Sequence, residues 1–168
     1  MAAMALLIVL AACVFDLRTR RIPNLLTLGG SFAGVLTSGV LHGLPGAGLS
    51  LAGWAVGLGL FLPLFMLRGL GAGDVKLLAC AGAWLGPVGV LWAALFTAIA
   101  GGVMALVVAG WAGYLRRAFS NLRLLLTHWA IVGIQPLPAL TLQGAHGPRL
   151  AYALPIAAGV LVTLWLEF

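Results

Sequence analysis

Polar residues in this chain come in short clusters, and between them run apolar stretches of the length needed to cross a lipid bilayer. A crossing helix takes roughly 20 apolar residues, with about 17 as the lower bound. Six stretches are read as spans: Ala2 to Leu17, Leu25 to Leu41, Leu49 to Leu67, Val75 to Leu85, Val88 to Tyr114 and Leu150 to Phe168. The fourth is too short by itself unless it starts at Gly73 or continues toward Val90. Gly86-Pro87 is the turn signal that parts it from the fifth. A further apolar run, Leu122 to Ile134, carries Arg123 and His128 and is too short to span. It predicts an interfacial or re-entrant segment inside a cytoplasmic loop at 116–149, where Pro136 and Pro138 stop any helix. The pattern as a whole predicts an all-α, polytopic membrane protein with about six transmembrane helices, forming a single domain over residues 1–168.

Composition strengthens the membrane reading. Hydrophobic residues make up 63% of the chain and charged residues 7%, whereas soluble domains carry about 25% charged residues. Glycine, at 24 of 168 residues, is about twice as frequent as its usual share of roughly 7%. In membrane helices such enrichment marks close helix contacts. Gly30-x-x-x-Gly34, Gly53-x-x-x-Gly57 and Gly82-x-x-x-Gly86 have the required spacing, although pairs of this kind also arise by chance in so glycine-rich a chain.

Charge then orients the spans. Arg18, Arg20 and Arg21 separate the first two; Arg68 and Lys76 bracket the turn between the third and fourth; Arg116, Arg117, Arg123 and Arg149 lie between the fifth and sixth. With six spans all nine basic residues share one face, which the positive-inside rule assigns to the cytoplasm, and both termini face away from it. The net charge of +6 is accounted for by topology, so nucleic acid is not an expected partner, whereas membrane lipids are. Met1 to Phe15, with Leu10 to Cys13 reading LAAC, could pass for a signal peptide. Its basic residues follow the apolar run instead of preceding it, which argues for an uncleaved first helix. Cys13 and Cys80 form no C-x-x-C pair, which argues against a zinc site, and no metal or cofactor is expected.

Only three acids occur, and in lipid a carboxylate is costly enough to suggest a role. Asp16 closes the first span in FDLRTRRIPN and Asp74 opens the fourth in GAGDVK, so both fall on the basic face; Glu167 is at the far end of the sixth. Two carboxyls that can meet share a proton and can divide the work of peptide hydrolysis, one as base and one as acid, without a metal. A plainer explanation also accounts for each: Asp16 could pair with Arg18, Arg20 or Arg21, and Asp74 with Lys76 or Arg68, or rest at a helix start favoured by the dipole. Gly71 and Gly73 allow backbone angles and a close approach that side chains would block. Pro23 sets the start of the second span, and Asn24 supports the turn there.

DLRTRRIPNLLT, Asp16 to Thr27, and GAGDVKLLA, Gly71 to Ala79, resemble the two signature regions of the type IV prepilin peptidases, which are G-x-G-D membrane aspartic proteases. RLAYALPIAAG, Arg149 to Gly159, is similar to the segment that opens the family's last helix, with Ala151 where the family has proline. The resemblance implies the G-x-G-D aspartic protease architecture, with Asp16 and Asp74 as the catalytic pair and Lys76 on the motif lysine. It implies cleavage of the basic leader from prepilins at the cytoplasmic face of the bacterial inner membrane, for pilus or pseudopilus assembly. The larger members carry a cytoplasmic insertion with paired C-x-x-C motifs and methylate the new N-terminus. Here the first span leads straight to Asp16, so the chain resembles the short form that serves Flp or Tad pili, and the related archaeal preflagellin peptidases. Two other classes stay open from the residues themselves: a small proton or cation transporter, against which the absence of mid-span charges argues, and a non-catalytic assembly factor.

Overall fold

A computed structural model describes residues 1–113, 115–133 and 151–166. Pro136, Pro138, Arg149 and Glu167 lie outside the described residues, as does the end of the loop in which the first three were expected. All regular structure among the described residues is helical: α1 (Ala2–Thr19), α2 (Asn24–Met66), α3 (Ala72–Trp111), α4 (Leu115–Val132) and α5 (Ala153–Trp165). Two of these, α2 and α3, are long and apolar enough to cross a membrane.

Neither long helix is straight. Gly43 (φ 67°, ψ −161°) interrupts α2, and Gly86 (φ 73°, ψ 178°) interrupts α3. That region of backbone space is open almost only to glycine. Proline follows closely both times, at Pro45 and Pro87, where the backbone N–H is already without an intrahelical partner. The contacts show that the chain folds back at Gly43. Gly30 and Gly57 would lie about 40 Å apart on a straight helix rising 1.5 Å per residue. Yet Gly30 abuts Cys80, and Gly57 abuts Leu78 and Ala79 on the same turn of α3. Gly82 likewise faces Val90 across the Gly86 break. The turn signal at Gly86-Pro87 thus marks a real reversal.

Close packing joins the legs. A methyl group at Gly53 would strike the Gly82 carbonyl and the backbone of Gly86, and one at Gly82 would strike the Gly53 carbonyl. At Gly57 it would stand 2.7 Å from the Leu78 carbonyl oxygen, and at Gly34 it would press on the Trp84 ring. Five of the six glycines in the spaced pairs therefore face a neighbouring helix; Gly86 instead supplies the reversal. Side-chain donors stitch the same seam: Ser50 Oγ donates to the Ala83 carbonyl (2.5 Å) and Trp84 Nε1 to the Gly30 carbonyl (2.9 Å).

The remaining core joins α1, α3 and α5 through Val9, Ala12, Leu77, Leu78, Ala93, Ile156 and Val160. Gly159 of α5 packs on Ala93 and Thr97, and the Tyr152 ring covers Gly101, so α5 runs antiparallel to the second leg of α3. Buried hydroxyls on Ser31, Thr97 and Thr163 return to the carbonyl one turn earlier, leaving no cost of unsatisfied polar groups in lipid. Large apolar side chains cover the outside, among them Leu25, Phe32, Val40, Leu44 and Trp165. A lipid environment accounts for that surface; water does not.

Candidate active site

Five chain segments end at one edge of the bundle: the end of α1, the starts of α2 and α3, the end of the second leg of α2 near Phe61, and the start of α5. α1 delivers Asp16, 9% exposed, in its last turn. The Ala153 N–H, at the first residue of α5, points to Asp16 Oδ2 at 3.4 Å. That bond is long, but the first N–H groups of a helix have no internal acceptor and carry the positive end of the dipole. One turn earlier, Cys13 Sγ donates to the Ala153 carbonyl at 3.0 Å. Both backbone polar groups of Ala153 are therefore engaged by α1.

Asp74 is the third residue of α3, after the N-cap Gly71. Its Oδ2 accepts the Gly71 N–H at 3.3 Å. Helix-start stabilisation, weighed above as the plain explanation, is thus part of its environment. It does not explain why the second acid is beside it. The charge of Asp16 acts on Asp74, and the charge of Asp74 acts in turn on Tyr152, the neighbour of Ala153. Tyr152 is fixed edge-on against Phe61, with ring centroids 6.1 Å apart, and against Gly101. Asp16 and Asp74 therefore lie within electrostatic range of each other beside the entry of α5.

The glycines of GAGDVK use one of the two properties expected of them. Gly71 has φ −78° and ψ 148°, which any residue adopts, and Gly73 is helical. Their backbone angles do not require glycine; the close approach does. A methyl group at Gly71 would sit 3.1 Å from Asp74 Oδ2, and one at Gly73 would sit 3.3 Å from Ile22 Cβ. Gly71 thus leaves room for the carboxylate, and Gly73 lets the α1–α2 connection lie against α3.

A second correction concerns Asn24. Pro23 is the N-cap of α2, with φ −60° and ψ 133°, and its carbonyl accepts from Leu26 and Thr27. The Asn24 side chain does not support that turn. Its Oδ1 accepts from Lys76 Nζ at 2.9 Å, tying the start of α2 to the start of α3. Lys76, beside Asp74 in sequence, turns its ammonium to Asn24. Sequence reasoning had no signal for this pairing, nor for Cys13 and Phe61, which lie in unbroken apolar runs. A cavity of about 460 Å³ lies at the opposite end, lined by Ser38, His42, Pro45, Ser50 and Trp84, and contains neither aspartate.

The profile of the type IV leader peptidase family matches residues 3–106, which include both aspartates. A prepilin leader peptidase/N-methyltransferase of Burkholderia pseudomallei (strain 1026b) is 38% identical over 114 residues, covering 64% of this chain and 36% of that protein. One of the same name from Legionella pneumophila is 36% identical over 112 residues, covering 63% of this chain and 39% of that protein. The match spans little more than a third of the length of these curated relatives. No solved structure matches the chain.

Proposed function

The chain belongs to the type IV leader peptidase family, and from that premise we propose that it is a membrane aspartic endopeptidase removing the leader of type IV, Flp-like prepilins at the cytoplasmic face. The observation that carries the proposal is the convergence of Asp16 and Asp74 at the start of α5, from helices that begin and end at one edge of the bundle. In this reading one aspartate takes a proton from water as the water oxygen attacks the scissile carbonyl. The other gives its proton to the carbonyl oxygen; as the tetrahedral intermediate collapses it takes that proton back, and the first aspartate passes the proton it took from water to the leaving nitrogen.

The chain's remaining parts take supporting roles. Gly71 keeps space beside Asp74, the Lys76–Asn24 bond holds two helix starts in register, and Ala153 orients Asp16. The two glycine reversals suit a six-span, G-x-G-D arrangement with both termini on the non-cytoplasmic side of the bacterial inner membrane. A prepilin would present its cleavage site where a membrane-embedded helix emerges at that edge. Methyl transfer, the second activity in the relatives' names, is not carried to this chain. A transporter fits less well, because both aspartates lie at one end and not along a path through the bundle.

The test is leader cleavage of a Flp-type prepilin by the full chain in proteoliposomes. Wild type is expected to cleave. Asp16→Asn and Asp74→Asn are each expected to abolish cleavage at unchanged expression. Retained cleavage by either variant removes the dyad, and binding without cleavage by wild type supports an assembly factor instead.

A further inference from the structure

The helix α4 plays no part in the site just described, and its side chains divide by face, with Leu124 and Ile131 as apolar exceptions on the polar side. Leu115, Phe119, Leu122, Leu126 and Trp129 recur at helical spacing along one side. Arg116, Arg123 and Thr127 border that stripe, with Asn121 and His128 on the opposite flank. Residues 115–132 contain no acid. The bundle leaves the stripe open: Phe119 is 61% exposed, Leu122 51% and Leu126 55%. The helix follows the second leg of α3 after Gly113, whose φ of 69° lies outside the helical region and parts the two helices.

Three environments could take such a helix. Crossing the bilayer would bury Arg116, Arg123, Asn121 and His128 in hydrocarbon, which is costly. Standing in water would leave the whole stripe solvated. Lying in the plane of the interface satisfies both sides: the stripe enters the acyl boundary and the basic flank meets the headgroups. Because the flank is basic and without acids, its complement is an anionic headgroup layer. We propose that α4 is an interfacial helix that binds the anionic lipid surface of the membrane. The proposal depends on membrane insertion of the bundle and is independent of the peptidase assignment, which the cleavage assay decides separately.

Hydrogen exchange of the full chain in nanodiscs tests it. Amides of residues 115–132 are compared in discs of phosphatidylcholine alone and in discs that also contain phosphatidylglycerol. Residues 75–85, in the first leg of α3, report whether the bundle is intact. The expected result is exchange slowed about tenfold in the anionic discs, with 75–85 unchanged. The R116E/R123E double variant should lose that protection, R116K/R123K should keep most of it, and high salt should reduce it. Phe119→Asp should weaken protection in both disc types. Equal exchange in the two compositions overturns the proposal. So does protection that appears only when a prepilin is added, because the stripe is then a substrate surface, or that depends on protein concentration, because a second copy then covers it.

Discussion

Two regions of this molecule are held together in opposite ways. Along the α2–α3 seam, backbone touches backbone: Gly53 against Gly82 and Gly86, Gly57 against Leu78. Many weak dispersion contacts act there, and a single added methyl meets atoms that cannot move aside. At the aspartate edge, contact is sparse and directional: Ala153 to Asp16, Gly71 to Asp74, Lys76 to Asn24. Helix starts supply that edge with unpaired N–H groups, which is why carboxylates can sit there at all. The seam therefore carries stability, and the edge has polar groups to spare for chemistry. Each region should fail in its own assay.

The largest effect is expected at the edge. Asp16→Asn or Asp74→Asn should lower leader cleavage by at least about 100-fold, while thermal unfolding in detergent stays as in wild type. If either variant unfolds instead, the division between the regions is wrong. Next comes the seam. Gly53→Val and Gly82→Val should destabilise the bundle by about 1–3 kcal/mol or more, read as a lower unfolding midpoint. Gly59→Ala is the matched control, since nothing lies within 4 Å of the added methyl. Its stability should change by no more than about 0.5 kcal/mol. A loss at Gly59 equal to that at Gly53 would show that glycine content, and not close contact, holds the helices.

Smaller effects sharpen the edge itself. Lys76→Met and Asn24→Ala should each reduce cleavage about fivefold, the value of roughly 1 kcal/mol for one hydrogen bond. The double variant should be no worse than either single one, because both remove the same bond. Additive losses would mean that Lys76 acts elsewhere. Gly71→Ala, which brings a methyl to 3.1 Å from Asp74 Oδ2, should cost a few-fold in cleavage with no change in unfolding. An unfolding shift there would assign Gly71 to packing.

Much of the fold was legible because lipid imposes strong rules on sequence. Apolar runs of span length, glycine pairs at four-residue spacing and the Gly86-Pro87 turn all reflect local constraints. The reversal at Gly43 was placed only loosely, between Leu41 and Leu49, because Gly43, Gly46 and Gly48 all allow a turn. For the glycines of GAGDVK both free backbone angles and close approach were expected, and only the close approach is used: a letter shows that a methyl is missing, not which neighbour would meet it. Asn24 was misread for the same reason, since its local partner was visible and Lys76, far along the chain, was not.

By itself the sequence determined an apolar helical chain with few charges, its basic residues gathered in short polar stretches and two of its three acids beside them. Those properties follow from transfer free energies and need no knowledge of neighbours. The tertiary structure alone decided that Asp16 comes within electrostatic range of Asp74 beside α5, that Ala153, itself held by Cys13, bonds the first of them, and that Lys76 joins α2 to α3. Such pairings depend on how helices pack across long sequence separations, and packing is set by shape at the contact, which no single segment encodes.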